Sequence, residues 1–208
     1  MTGNQYTPAQ VAAVTRLSLA AVHKAIDSRL VKPRMARTGK ARRRLLTKEQ
    51  IIYLQLEVEG VRLLPLRVRR KVAQTVERLP QVEEFPIGNG DVLRVEVKSA
   101  RRKVEAELGR LANAERIVVS DPEIMRGTQV YRGTRIPVHL VADMLAQGAS
   151  VEEILEGYPS LDRDKVELTS VYVRAFPRRG RPARRPWAGQ KPLRVTRRRL
   201  RSHTRNDQ

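Results

Sequence analysis

The chain contains no cysteine, and aromatic residues make up only 4% of its 208 positions. Without thiols it can form neither disulfides nor thiolate metal sites. With so few rings, any core is built mainly from Leu, Val, Ile and Ala, which suits small helical units better than a large β-sandwich. No run of 18 apolar residues occurs, so no transmembrane helix is expected. The segment Met1 to Tyr6 lacks a basic stretch followed by an apolar one; no secretory signal is expected, and a cytoplasmic location is the default. His23, His139 and His203 are scattered, and Asp121, Glu123 and Asp143 are too dispersed to propose as a metal site. Neither an enzyme nor a bound cofactor is therefore expected. Carboxylates are also scarce, with 22 Asp+Glu against 42 Lys+Arg and a net charge of +20.

That charge is concentrated at the two ends. Residues 1 to 80 hold 17 Lys+Arg against 5 Asp+Glu, and residues 177 to 208 hold 12 against 1. Between them, residues 81 to 116 are neutral at 7 against 7, and residues 117 to 176 are acidic at 6 against 9. Two basic ends around a neutral to acidic middle indicate two acidic partners, or one long one.

The first basic segment carries helix signals in quick succession. Tyr6-Thr-Pro-Ala-Gln10 predicts a helix start, with Thr7 as N-cap, Pro8 in the first turn and Gln10 completing a capping box. Val11 and Val14 face inward. Ser18 can cap a second helix with Leu19, Val22, Ile26 and Leu30 on its apolar face, leaving Ser18, Ala20, Ala21, Lys24 and Ser28 outward. Small and basic residues on such a face allow close approach to a DNA groove. The stretch Arg34 to Arg44, with Arg34, Arg37, Lys40, Arg42, Arg43 and Arg44 around Gly39, reads as a basic hairpin contacting phosphates. A third helix follows from the capping box Thr47-Lys-Glu-Gln50 and packs Ile51, Ile52, Leu54, Leu56 and Val58. A solvated basic helix pair with no DNA role is the competing reading. The order of elements, with Tyr-Thr-x-x-x-Val-Ala near the start and Leu-Val-x-Pro before the hairpin, resembles the MerR-like winged helix-turn-helix.

The middle predicts a helix over Leu66 to Leu79, ended by Pro80. A small hairpin then follows, with Leu93, Val95 and Val97 on one side, and a helix from Arg101 to Glu115 with Val104, Leu108 and Leu111 as its stripe. Further on, Gly133 and Thr134 after the apolar pair Val130-Tyr131 make a tight turn. Val138, Leu140, Val141, Met144 and Leu145 recur at helical spacing until Gly148. Ser150-Val-Glu-Glu153 is a further capping box, and Asp162 can cap a last helix carrying Val166, Thr169 and Val173. Gly-Thr-Arg could instead cradle a phosphate, since amides at a helix start attract anions.

The motifs Tyr131-Arg-Gly-Thr-Arg-Ile-Pro-Val138, Gly148-Ala-Ser-Val-Glu-Glu-Ile154 and Tyr158-Pro-Ser-Leu161, in that order within residues 117 to 175, resemble domain-of-unknown-function family 433. That family occurs in VapB-type antitoxins of bacterial toxin–antitoxin pairs. The resemblance implies a partner nuclease toxin of the PIN-like type, whose active site gathers carboxylates around a metal ion.

From Phe176 the chain is rich in Arg and Pro and has little to bury, so it is expected to act through contacts. Arg178, Arg179, Arg181, Arg184 and Arg185, ending in Trp187, suit either a narrow A·T-rich minor groove or an acidic enzyme cleft. The family resemblance favours the cleft, and residues 189 to 208 are expected to be mostly disordered. The fold expected is mainly α with short β-strands. Its segments are an N-terminal winged helix-turn-helix (1–80), a linking hairpin and helix (81–116), a small helix-turn-helix-like helical domain (117–176) and an extended basic tail (177–208). The function expected is an antitoxin that represses its own operon as a homodimer on operator DNA, with residues 117 to 176 in the dimer interface. The rival is a stand-alone transcription regulator whose tail touches DNA.

Overall fold

Short polar side chains close the first turns of most helices in this chain. The computed structural model describes residues 5–38, 41–88 and 93–178. These residues form eight α-helices: α1 (Pro8–Thr15), α2 (Leu19–Asp27), α3 (Lys48–Val58), α4 (Leu66–Arg78), α5 (Lys98–Arg116), α6 (Val138–Ala146), α7 (Val151–Gly157) and α8 (Arg163–Ala175). They also form six short strands: β1 (Arg34–Thr38), β2 (Ala41–Leu45), β3 (Glu84–Pro86), β4 (Arg94–Glu96), β5 (Val118–Val119) and β6 (Val130–Tyr131). The strands pair as three separate antiparallel ribbons, β1 with β2, β3 with β4 and β5 with β6. The molecule is thus mainly helical with a few short strands.

Thr7 with Gln10, Thr47 with Gln50 and Ser150 with Glu153 form reciprocal capping boxes on α1, α3 and α7. Each box satisfies two backbone donors that a helix start leaves unpaired. Ser18 and Asp162 cap α2 and α8 by accepting from the amides of Ala21 and Lys165. Pro65 and Pro137 precede α4 and α6 and hold the entering backbone at φ −56° and −66°, the value their rings impose.

One apolar core runs through the unit that spans Met1–Arg178. Helix α8 lies against α1, α5, α6 and α7, and α3 lies against α1, α4 and α5. Val11, Ile52, Val104, Tyr131 and Val166 therefore belong to the same cluster, although they come from all three segments drawn before residue 177. Two polar pairs are sealed into it. The Tyr53 hydroxyl donates to Glu57, whose carboxylate also receives Nε and Nη2 of Arg69 at 2.9 and 2.6 Å, fastening α4 to α3. The Thr169 hydroxyl donates to the Lys165 carbonyl at 2.7 Å, so the contact of 2.5 Å between Tyr131 and Thr169 has the Tyr131 hydroxyl as donor.

Hydrophobic periodicity overestimates burial at four leucine and valine positions, three at helical spacing and one in a hairpin. Leu19 is 43% exposed, because the buried stripe of α2 begins only at Val22. Val58 is exposed as the last residue of α3. Leu140 stands about 100° around α6 from the buried Val141 and emerges at the edge of its apolar arc. Leu93 is exposed because it lies beyond the paired residues of β4, whereas Val95 and Val97 are buried as expected. Ile154 is 0% exposed in the chain's own core, so it is not available to the dimer interface expected over residues 117 to 176.

Candidate nucleic-acid interface

Three residues, Arg16 to Ser18, separate α1 from α2. Arg16 takes a left-handed conformation at φ 59°, closing α1. The Thr15 hydroxyl donates to Val11 O at 2.8 Å and accepts from the Leu17 amide at 3.4 Å, so the turn is braced from within. Helix α2 buries Val22, Ala25 and Ile26. Ser18, Ala20 and Lys24 are exposed, while Ala21 and Ser28 are half-buried on the same side. Ala21, Lys24 and Ser28 line a recess shared with Leu63, Leu66 and Arg69.

The β1–β2 ribbon rises next to this helix. Its root is pinned twice, by reciprocal backbone bonds between Tyr6 and Leu46 (2.9 and 2.8 Å) and by Gln50 Nε2 donating to Lys32 O at 2.9 Å. Met35 pairs with Arg44, Ala36 with Arg43 and Arg37 with Arg42. Because neighbours along a strand alternate faces, Met35, Arg37, Arg42 and Arg44 share one face, and Arg34 and Arg43 the other. Arg44 Nη1 reaches Asp27 Oδ1 at 3.2 Å, tying that first face to the last residue of α2. Directly opposed like charges weaken a ribbon, and here Arg37 stands across from Arg42 with both exposed. Lys40 lies outside the described residues.

Among the described residues, Lys24, Arg34, Arg37, Arg42 and Arg43 form no ion pair; on α5 and α8, Lys98, Lys103, Arg110, Arg163 and Lys165 each have a carboxylate partner, and Arg101, Arg102, Arg116 and Arg174 do not. Five of the six described cations of α2 and the hairpin are thus unpaired, against four of nine on α5 and α8. Arg69 is withdrawn from that set by Glu57, and hydrogen bonding to this carboxylate holds its guanidinium pKa above the usual value. Burial and the same carboxylate push the Tyr53 phenol up as well. Sequence reasoning did not find Arg29, Lys32 and Arg70, which line a recess at the end of α2. The Arg70 guanidinium lies 3.5 Å from Ser28 O across 42 residues, a separation that no local motif signals.

The second region assembles as its motifs indicate. Gly133 sits at φ 78°, and the Thr134 hydroxyl donates to Tyr131 O at 2.9 Å while accepting from the Ile136 amide at 3.1 Å. The Val138 amide donates to Gln129 O at 3.0 Å. The hydroxyl and first-turn amide that a phosphate would need are thus engaged inside the turn. Arg178 is exposed and its Nη2 lies 3.4 Å from Asp143 Oδ2. Burial, aided by that guanidinium, holds the His139 imidazole below its usual pKa. Arg179, Arg181, Arg184, Arg185 and Trp187 lie outside the described residues. Among the described residues, no helix is long and apolar enough to cross a membrane.

Residues 118–173 match the family model described as "Protein of unknown function (DUF433)", the same domain that the motifs of residues 117 to 175 resemble. The X-ray crystal structure of RV2018 from Mycobacterium tuberculosis covers 79% of this chain and 96% of its own at 15% identity, with a TM-score of 0.33. The "Uncharacterized protein y4eO" of Sinorhizobium fredii is 34% identical over 180 residues, spanning 83% of this chain and 81% of that protein. The chain therefore belongs to the family of the y4eO protein and carries a DUF433 domain at residues 118–173.

Proposed function

We propose that this protein binds duplex DNA through a winged helix-turn-helix of the MerR-like type and represses the operon of a toxin–antitoxin pair, in which it is the antitoxin. Helix α2 occupies the major groove with Ser18, Ala20, Ala21, Lys24 and Ser28 toward the bases. Arg34, Arg37, Arg42, Arg43 and Arg44 of the hairpin hold phosphates. The observation that carries this reading is the cation distribution: among the described residues, five of the six cations of α2 and the hairpin lack a carboxylate, against four of the nine on α5 and α8. A phosphate between Arg37 and Arg42 would remove their repulsion across the ribbon.

The antitoxin half of the proposal is supported by composition and by the resemblance of the 433 domain to those of VapB-type antitoxins. The segment from Arg178 to Trp187 offers planar guanidinium forks, suited to the carboxylate cluster of a PIN-like nuclease. A homodimer would present two α2 helices to a palindrome. The direct test is a gel shift of the full chain on the duplex upstream of its own coding sequence, against a shuffled duplex of equal length. Preference for the native duplex by a factor of about 10³ or more at physiological salt is expected of a specific regulator. Equal affinity for both removes the operator reading.

A further inference from the structure

We propose a second phosphate grip at the C-terminal end of α2, formed by Arg29, Lys32 and Arg70, and distinct from the hairpin; it rests on the DNA-binding reading above. The three side chains line a recess of about 270 Å³ together with Gln74 and Glu77. All three are exposed, and none forms an ion pair among the described residues. Two elements far apart in sequence bring cations to this helix end. Arg44 of β2 meets Asp27, and Arg70 of α4 lies 3.5 Å from the carbonyl of the adjacent Ser28.

Compensation of the helix dipole does not account for that much charge. A helix C-terminus carries roughly half a negative elementary charge, and Glu77 adds one carboxylate, already an acceptor for Gln50 Nε2 at 3.2 Å. Arg29, Lys32 and Arg70 supply three positive charges, which leaves an excess of roughly 1.5 for a ligand to neutralise. Arg29 stands at φ 59° as the left-handed stop of α2, with the Leu30 amide donating to Ala25 O at 3.0 Å, and this turn sets its side chain at the helix end beside Lys32 and Arg70. The ligand class that fits is the phosphodiester backbone next to the groove that α2 enters. The hairpin and this recess would then grip the duplex at two places around one helix.

The test uses the full chain and its upstream duplex, with affinity followed by fluorescence anisotropy across a series of salt concentrations. Arg29→Gly relieves the backbone while removing charge, and Arg70→Gln keeps a donor near Ser28 O, so the R29G/R70Q variant is designed to stay folded; thermal melting checks that it does. Each lost phosphate contact lowers the slope of log Kobs against log salt by about 0.9. R29G/R70Q is expected to lower the slope by about 1.8, equally on native and shuffled duplexes, whereas R29K/R70K keeps it. A folded R29G/R70Q protein with the unaltered slope overturns the second grip alone, provided R37A/R42A still lowers it. If the unaltered chain shows no salt-dependent binding to any duplex, the DNA reading fails and the second grip with it.

Discussion

Arg44 of the hairpin and Asp27 of α2 meet at 3.2 Å, joining the end of the helix to the ribbon proposed to straddle a DNA groove. Their side chains are 43% and 66% exposed, so solvent screens the pair and it contributes about 0.2–1 kcal/mol at most. Asp27→Ala is therefore expected to change the melting temperature little. It removes a negative charge from the proposed interface and releases Arg44 toward phosphate, so the variant binds DNA more tightly, with a steeper salt slope. Arg44→Ala does the reverse. Anisotropy titrations of both variants check this, and weaker binding by Asp27→Ala contradicts the placement of this face on DNA.

Glu57 is the joint between α3 and α4. Removing its carboxylate leaves the Arg69 guanidinium and the Tyr53 hydroxyl without their partner in a nearly closed site. Glu57→Ala is expected to cost about 3–5 kcal/mol, and Glu57→Gln distinctly less, because an acceptor oxygen remains. Urea unfolding of the two variants measures the difference; equal midpoints would show that the carboxylate is not what fastens α4.

Tyr131 gives a pH signature. Burial pushes its phenol from the ordinary 10.0 up to about 12, so in alkali the unfolded chain loses this proton before the folded one. The stability linked to it is whole below pH 10 and falls as pH rises toward 12, at up to about 1.4 kcal/mol per pH unit. Tyr131→Phe should cost about 0.5–1.5 kcal/mol at neutral pH, since the Thr169 hydroxyl keeps its bond to Lys165 O. It should also flatten the loss between pH 10 and 12. Parallel curves for the two proteins in thermal melts would assign that loss to other groups.

The toxin-binding role proposed for the segment after Phe176 separates cleanly from the DNA role. Deleting residues 177 to 208 is expected to leave binding by the α2 and hairpin unit largely intact, while abolishing inhibition of a PIN-like nuclease encoded beside it. An RNA-cleavage assay at equal concentrations reads the outcome. Full inhibition by the shortened chain would place inhibition in the folded part.

What could be read in advance follows the range of each interaction. The boxes of Thr7 with Gln10, Thr47 with Gln50 and Ser150 with Glu153 span three residues each, so their helix starts are visible in sequence and present in the structure. The β1–β2 ribbon and the turn at Gly133 and Thr134 are local in the same way. Glu57 with Arg69, Arg44 with Asp27 and Arg70 with Ser28 span 12, 17 and 42 residues, and no spacing rule pairs them. Periodicity assigns a residue to a helix face without saying how far a neighbour extends along it, which is why Leu19 and Val58, at helix ends, emerge into solvent. Ser18, Ala20 and Lys24 stand outward as expected, but their exposure alone does not identify what they touch.

The opposition of Arg37 and Arg42 gives the most direct test of the DNA reading. On the upstream duplex, the unaltered chain should show a steep salt dependence, and R37A/R42A a slope lower by about 1.8, two phosphate contacts at roughly 0.9 each. The removal of mutual repulsion across the ribbon should at the same time leave the folded state as stable as before, or more so. Identical salt slopes for the two proteins, both folded, would contradict the account.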